Sequence, residues 1–202
     1  MEITIFLFIV FLPKTHPCPG KCICTVEKVI CRKDLLGFPD LLKVKATDIT
    51  YLVIDNSHIE RLHPQHLRRF ENLERLYLQN VSLSLLHRDA FGKTETLREL
   101  SLSSNKLRSI ENGTFSRLKN LEILILGNNQ LTTIHSHMFR GLHRLKYLQL
   151  TNNTIKRIEP GSFDSIPKLE WLDMNECGLS RLESHLFAGK LNLAFDHFLR
   201  GK

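Results

Sequence analysis

Residues Leu121 to Phe139 read Leu-Glu-Ile-Leu-Ile-Leu-Gly-Asn-Asn-Gln-Leu-Thr-Thr-Ile-His-Ser-His-Met-Phe, and the spacing in this stretch decides the fold. Large apolar residues fall at positions 121, 124, 126, 131, 134 and 139, with an Asn at position 129. This spacing fits neither the helical period of about 3.6 residues nor the simple alternation of a strand. The pattern returns five more times, with starts always 24 residues apart, at Ile49, Leu73, Leu97, Leu145 and Leu169. A fixed period of this length indicates stacked repeats.

The composition supports an array of repeats. The chain has 202 residues and 42% apolar content, which excludes a disordered chain. Each 24-residue unit is too small to bury its own apolar face and must stack on its neighbours. The formal charge is +7, but Lys and Arg are interspersed with Asp and Glu. A nucleic-acid partner is therefore not expected.

Within each repeat, the first segment predicts a short strand and the second an irregular or short helical return path. Leu124 and Leu126 alternate with outward positions, so they point to one side of a strand. Leu131, Ile134 and Phe139 add core from the return path. Stacked turns give a parallel sheet, and because strand and return path differ in width, the stack should curve with the sheet on its concave face. We expect an α/β solenoid with short parallel strands.

An Asn at the ninth position of the repeat has a structural task, because its amide can both donate to and accept from the buried backbone of adjoining turns. Three repeats carry it, as Asn105, Asn129 and Asn153, and three depart from it, with Ser57, Val81 and Cys177. Ser and Cys can form part of a ladder, whereas Val cannot. We predict a weak spot at Val81 and an unreactive buried thiol at Cys177.

The N-terminal region predicts secretion. Ile3 to Leu12 has the length and apolar character of a signal-peptide core, so residues 1–16 are read as a signal, and no later segment is long enough to span a membrane. Four cysteines follow within fourteen residues, Cys18, Cys22, Cys24 and Cys31. They could hold zinc or form disulfides in any of three connectivities. An oxidising compartment favours disulfides, and a stapled cap over residues 17–48 would cover the first repeat.

The pattern Leu-x-x-Leu-x-Leu-x-x-Asn-x-Leu-x-x-Ile-x-x-x-x-Phe, with the Cys-x3-Cys-x-Cys-x6-Cys segment before it, resembles the leucine-rich repeats of animal extracellular proteins and their cysteine-rich N-terminal cap. The resemblance implies a horseshoe and the bridges Cys18–Cys24 and Cys22–Cys31. Proteins with this arrangement include Slit proteins, neurotrophin receptors, repeat-plus-immunoglobulin membrane proteins, Toll-like receptors and lamprey antigen receptors. The sequence does not choose among them.

Six repeats occupy residues 49–192, and residues 193–202 break the pattern. A seventh repeat would need an apolar residue where Asp196 stands, and no C-terminal cysteine cap follows. Either the apolar residues near the end fold over the last repeat as a lid, or the chain is a piece of a longer receptor. The second interpretation is favoured.

The outward strand positions form three columns and supply the candidate ligand-binding residues. Every Tyr and the only Trp fall in these columns, and no Phe does. Amphipathic aromatics suit a protein-binding surface, although Tyr also suits any exposed strand. The candidates are Tyr51, Tyr77, Ile123, Ile125, Tyr147, Gln149, Trp171 and Asp173. Ile123, Ile125, Tyr147 and Trp171, here named the apolar patch, are the predicted hot spot.

Other sequence features give secondary predictions. Three glycosylation acceptors occur, at Asn80, Asn112 and Asn152, and glycans at the first and third would restrict a ligand to the sheet centre and the opposite edge. A basic run on the return path could bind a heparan-type glycan, through Arg61, Arg68, Arg69 and Arg88.

No enzymatic or metal chemistry is expected. His135-Ser-His137 lacks a third ligand, so we expect no metal and no cofactor there. Nucleophile, phosphate-loop and metalloprotease motifs are missing from the sequence. The leading hypothesis is a non-enzymatic recognition module of a secreted or cell-surface protein. The alternative is a matrix or structural protein that binds sulfated glycans.

Overall fold

The computed structural model describes residues 18–19, 22–32 and 45–179. The predicted signal peptide, the segment 33–44 and residues 180–202, which include the end of the sixth repeat and the broken repeat, lie outside the described residues. The described strands are β1 (Cys22–Cys24), β2 (Lys28–Arg32), β3 (Tyr51–Asp55), β4 (Arg61–Leu62), β5 (Arg75–Gln79), β6 (Leu85–Leu86), β7 (Glu99–Ser101), β8 (Ile123–Ile125), β9 (Thr133–Ile134), β10 (Tyr147–Gln149), β11 (Arg157–Ile158) and β12 (Trp171–Asp173).

Eight of these strands form one sheet in the order β1-β2-β3-β5-β7-β8-β10-β12. From β2 onward every pairing is parallel and in the repeat register, so that Leu100 lies opposite Leu124 and Leu124 opposite Leu148. The return paths contain two smaller parallel pairs, β4 with β6 and β9 with β11. Within the described residues, helix is limited to the single turn α1 (Pro64–Leu67) and a 3₁₀ turn at Ala46–Asp48. The predicted solenoid is confirmed, with a return path made mainly of turns.

The core is built from the positions that the repeat marks as apolar. Leu124 and Leu126 are fully buried, and so is the apolar residue of the return path at Ile134. Four Phe side chains at the nineteenth repeat position form a column of the largest buried residues, Phe91, Phe115, Phe139 and Phe163. The rings of Phe91 and Phe115 are 5.9 Å apart, and those of Phe139 and Phe163 are 6.1 Å apart. Burying a Phe or Leu side chain contributes about 1.5–3 kcal/mol each.

The predicted asparagine ladder is present. Asn129 Nδ2 donates to Leu126 O and to Leu102 O of the preceding repeat, both at 3.0 Å, while Asn129 Oδ1 accepts from Leu107 N at 3.1 Å. Asn105 and Asn153 make the equivalent bonds. At Cys177 the thiol donates to Leu150 O at 3.0 Å, and burial raises its pKa to about 11. The thiol therefore replaces one arm of the ladder and stays protonated at neutral pH.

Val81 interrupts the ladder on one side only. Its own amide donates to Asn105 Oδ1 at 3.1 Å, so the bond toward the third repeat is kept. Toward the first repeat, Ile59 N donates to Val81 O at 2.7 Å instead of to a side chain. Ser82 adopts a φ of 60° directly after it. The backbone here has adjusted to the missing amide.

A second column, at the eighth repeat position, was not anticipated. Its six residues all have positive φ between 49° and 57°, at Asn56, Asn80, Ser104, Asn128, Asn152 and Glu176. Asn tolerates this left-handed conformation best among side-chain-bearing residues. Asn152 Nδ2 donates to Asn128 Oδ1 at 2.7 Å, and Asn80 Nδ2 donates to Asn56 Oδ1 in the same way. The column turns the chain away from the strand in every repeat.

The N-terminal cap is a disulfide-linked hairpin. β1 and β2 are antiparallel, with Cys22 opposite Cys31. The structure contains the bridges Cys18–Cys24 and Cys22–Cys31, the pairing that the family resemblance implies. Val29 and Cys31 are fully buried against the first repeat. The hairpin thus extends the sheet and covers the end of the core.

Candidate recognition surface on the sheet

The outward residues of β8, β10 and β12 form the most apolar part of the sheet face. Tyr147 lies opposite Ile123 on one side and Trp171 on the other. The Tyr147 and Trp171 rings are stacked, with centroids 5.7 Å apart and planes inclined by 26°. Trp171 is 37% exposed, whereas Ile123, Ile125 and Tyr147 are half-buried. The four residues of the apolar patch are therefore brought together, with Trp171 as the most exposed member.

The other end of the sheet face carries a second aromatic pair. The rings of Tyr51 and Tyr77 are 5.4 Å apart and inclined by 50°. Lys28 of the cap lies with its Nζ 5.6 Å from the centre of the Tyr51 ring, a cation–π distance. Burial, and then a hydrogen bond to Glu99, raises the pKa of Tyr77 above its usual value. These rings are engaged by charged neighbours within the chain itself.

On β7, between the Tyr51–Tyr77 pair and the apolar patch, the sheet face is polar and closely packed. Ser101 occupies one of the outward strand positions but is fully buried, because it pairs with Tyr77 on one side and Ile125 on the other, and both have larger side chains. Its hydroxyl accepts from Gln79 Nε2 at 3.1 Å and lies 3.2 Å from Ser103 Oγ. Gly127 is also buried, and an added Cβ there would meet Gln149 Oε1 at 3.2 Å. This centre offers few side chains to a ligand.

A ladder of alternating charges runs along the edge where the strands begin. Glu122 accepts from Arg98 Nη1 at 3.2 Å through Oε1 and from Lys146 Nζ at 3.1 Å through Oε2. The bond from Lys146, and then its charge, holds the pKa of Glu122 below the usual value. This ladder was not predicted from the sequence, although opposite charges 24 residues apart are a signal for it.

The glycosylation acceptors lie on the surface. Asn80, Asn112 and Asn152 are all exposed. Asn80 and Asn152 belong to the positive-φ column at the edge opposite the charge ladder, whereas Asn112 is on the return path. The first and third acceptors therefore adjoin the sheet face and the second does not.

The basic residues of the return path are exposed but only partly grouped. Arg61, Arg68, Arg69 and Arg88 all face solvent. Arg68 shares a shallow depression with Lys93 and with the carboxylate of Asp89. Close by, the ring centroids of His63 and His66 are 5.5 Å apart, and burial followed by the charge of His63 lowers the pKa of His66.

The His135-Ser-His137 stretch is engaged by a carboxylate. Glu159 accepts from Ser136 N at 3.0 Å, and its other oxygen lies 3.2 Å from His135 Nδ1. Within the described ranges, no three His, Cys, Asp or Glu side chains are grouped closely enough to hold a metal ion. Over the same residues, no helix is long and apolar enough to cross a membrane.

Comparison with known proteins agrees with this architecture. Podocan of Mus musculus is 36% identical over 99 residues, which are 47% of this chain and 16% of Podocan. Among solved structures, TLR13 in its complex with ssRNA13 superposes with a TM-score of 0.72 at 28% identity, covering 81% of this chain and 23% of that one. The chain thus spans less than a quarter of either relative. Leucine rich repeat matches at residues 47–107, 71–131, 95–153 and 119–179 cover more than half of the sequence, and the chain belongs to that family.

Proposed function

We propose that this chain is a non-enzymatic recognition module that binds a protein ligand on the solvent-facing, concave side of its parallel sheet. The observation that carries the proposal is the stacked Tyr147–Trp171 pair beside Ile123 and Ile125, with Trp171 37% exposed. Large aromatic side chains with one apolar face and one polar group are enriched at the centres of protein interfaces. An apolar cluster on an otherwise polar sheet is best explained by a partner that covers it.

The location of the module is proposed to be extracellular, as a secreted protein or on the outer side of a cell surface. Two disulfides within fourteen residues support an oxidising compartment, because such bridges are rare in the cytosol. Three exposed acceptor asparagines are compatible with passage through a compartment that attaches N-linked glycans. A protein ligand that shares this compartment is the expected partner.

The test uses the full chain as a probe against purified extracellular proteins, followed by variants for any binder. Ile125→Asp places a charge in the apolar patch, and Leu85→Asp is the matched control, because Leu85 is 39% exposed but lies on the return path. Ile125→Asp should weaken binding about tenfold or more, and Leu85→Asp about twofold or less. Circular dichroism checks that both variants fold. Binding lost with Leu85→Asp but kept with Ile125→Asp would move the site to the return path.

A second candidate function is binding of sulfated glycans on the return path. The observation in its favour is that Arg68 and Lys93 line one depression, and Arg61 and Arg88 are also exposed. The negative charge of Asp89, which lines the same depression, argues against this candidate. Retention on heparin that falls with salt, and that Arg68→Gln combined with Lys93→Gln abolishes, would favour this candidate. Elution of the chain from heparin below physiological salt would rule out this second candidate.

A further inference from the structure

The stacked pair at the C-terminal end of the described sheet offers a wide aromatic face. Tyr147 and Trp171 stand side by side on adjacent strands, with centroids 5.7 Å apart. Aromatic faces carry partial negative charge and attract cations, with indole the strongest of the natural rings. The exposed fraction of Trp171, 37%, leaves room for a partner group.

A carboxylate stands next to this aromatic face. Asp173 is two residues after Trp171 on β12 and therefore projects from the same face of the sheet. Asp173 Oδ1 accepts from Asn175 N at 3.0 Å, which fixes the carboxylate while Oδ2 has no hydrogen bond from any described residue. Burial, and then the charge of Asp173, raises the pKa of Tyr147. We name Tyr147, Trp171 and Asp173 the aromatic corner.

The segment that contains Trp171 and Asp173 is acidic, whereas the chain as a whole is basic. The full sequence has a formal charge of +7, yet residues 169–179 contain Glu170, Asp173 and Glu176 and neither Lys nor Arg. Lys146, which precedes Tyr147, is bonded to Glu122 at 3.1 Å, and Lys168, which precedes β12, does not lie over either ring of the pair. The corner is therefore complementary to a positive charge that the described chain does not supply.

The opposite end of the sheet gives an internal precedent. There Lys28 Nζ lies 5.6 Å from the centre of the Tyr51 ring, and Tyr51 contacts Tyr77. Of the two aromatic pairs on the described sheet face, one therefore already contacts a cation of the chain itself. No described residue places a cation over the other pair.

We infer that the aromatic corner binds a cationic side chain of the protein ligand, with the aliphatic part of the same ligand on Ile123 and Ile125. The inference rests on the proposed function and names the chemistry of the partner. Arginine fits better than lysine, because a planar guanidinium stacks on an aromatic face and donates to a carboxylate at the same time. The ligand is expected to present an arginine beside an apolar residue.

The test uses the full chain and two small probes, N-acetylarginine methylamide and its neutral isostere N-acetylcitrulline methylamide. Trp171 is the only Trp of the chain, so fluorescence excited selectively in tryptophan reports on the corner alone. The arginine probe should bind about tenfold more tightly than the citrulline probe, the ratio expected from a cation–π contact together with a charge-assisted hydrogen bond. Asp173→Asn should reduce this ratio to about threefold or less. Asp164→Asn, an exposed aspartate on the return path, is the matched control and should leave the ratio unchanged.

Several outcomes would overturn the inference. Equal responses to both probes, no response to either, or the same loss with Asp164→Asn would each do so. A dimer in sedimentation velocity that Trp171→Ala dissociates would assign the corner to a second copy. A response that appears only after Arg200→Gln and Lys202→Gln would assign it to the chain's own C-terminal segment. The probe ratio is measured without a protein partner. A ratio near one would therefore overturn this inference without deciding the proposed function, which the Ile125→Asp experiment tests. A failed Ile125→Asp experiment would in turn leave the measured probe ratio valid.

Discussion

Asn105 Oδ1 accepts a hydrogen bond from Val81 N at 3.1 Å, across the boundary between the second and third repeats. The same oxygen accepts from Leu83 N at 3.0 Å, and Asn105 Nδ2 donates to Leu78 O at 2.7 Å. One buried amide therefore satisfies three backbone groups of the neighbouring repeat. Because a solenoid coheres only through contacts between neighbours, such an amide contributes to the coupling of the whole array.

Asn105→Ala is expected to destabilise the chain by about 2–4 kcal/mol, since it leaves buried backbone donors and an acceptor without partners. Urea unfolding followed by circular dichroism measures this change. Gln130→Ala is the control, because Gln130 is exposed and its side chain bonds only to Arg108 Nε at 3.2 Å. The control should change stability by about 0.5 kcal/mol or less. Equal effects of the two variants would show that the ladder bonds add little.

The boundary between the first and second repeats is expected to open more readily than that between the third and fourth. Val81 has no donor for Ile54 O, the carbonyl equivalent to Leu102 O, to which Asn129 donates at 3.0 Å. Ile59 N, the donor equivalent to Leu107 N, bonds to the backbone oxygen of Val81 at 2.7 Å rather than to a side-chain amide. Hydrogen exchange should therefore be faster at residues 54–59 than at residues 102–107. Equal protection of the two segments would contradict the prediction.

The apolar period predicted the fold because it is a strong signal that depends only on residue type. Leu124, Leu126 and Phe139 must be inward for any stack to form, and identical repeat lengths then set the strand register. The backbone conformation of individual residues is harder to predict from residue type. Glu176 shares the positive φ of Asn128, and neither the Glu nor Ser104 reveals this from its type.

The candidate site could be predicted only in part from the sequence. The columns placed Tyr147 and Trp171 on one face, but their stacking required the distance between adjacent strands. The burial of Ser101 follows from the size of its neighbours rather than from its own position. The pairing of Glu122 with Lys146, by contrast, follows from the 24-residue register, although the apolar pattern by itself does not mark it.

Glu176→Asn is expected to stabilise the chain by about 0.5–1 kcal/mol, because Asn tolerates positive φ better than Glu. Glu176 has a φ of 55° and is exposed, so the change removes strain without disturbing the core. Glu170→Asn makes the same chemical change at an exposed position directly before β12 and serves as the control. Chemical denaturation compares the two variants. A gain in both would point to charge rather than backbone strain.

The acid sensitivity of the chain should depend partly on Glu122. Its pKa is held below the usual value of 4.5, first by the hydrogen bond from Lys146. A lowered pKa in the folded state means that the ionised carboxylate stabilises the fold above pH 4.5, and that this stabilisation is lost as the pH falls. The Tm difference between the wild type and Glu122→Gln should therefore be largest near neutral pH and shrink below pH 4.5. Glu71→Gln, at an exposed position on the return path, is the matched control, and the same pH dependence in both variants would contradict the prediction.

N-glycosylation is expected to be complete at Asn152 and incomplete at Asn112, because the acceptor hydroxyls differ. Thr154 is exposed and makes only a long hydrogen bond, 3.5 Å, to Leu131 O. Thr114 is 2% exposed, and its hydroxyl donates to Glu111 O at 2.8 Å, so folding removes it from the modifying enzyme. The Asn152 amide keeps one N–H for its bond to Asn128 when the other carries a glycan.

Site-by-site mass spectrometry of chain secreted from mammalian cells measures both occupancies. Mild reduction during synthesis delays closure of the Cys22–Cys31 bridge and hence folding, so occupancy at Asn112 should rise while that at Asn152 stays constant. Asn112→Gln and Asn152→Gln identify each glycan by its loss. Full occupancy at Asn112 without reduction would mean that transfer precedes burial of Thr114, and the proposed competition would then be wrong.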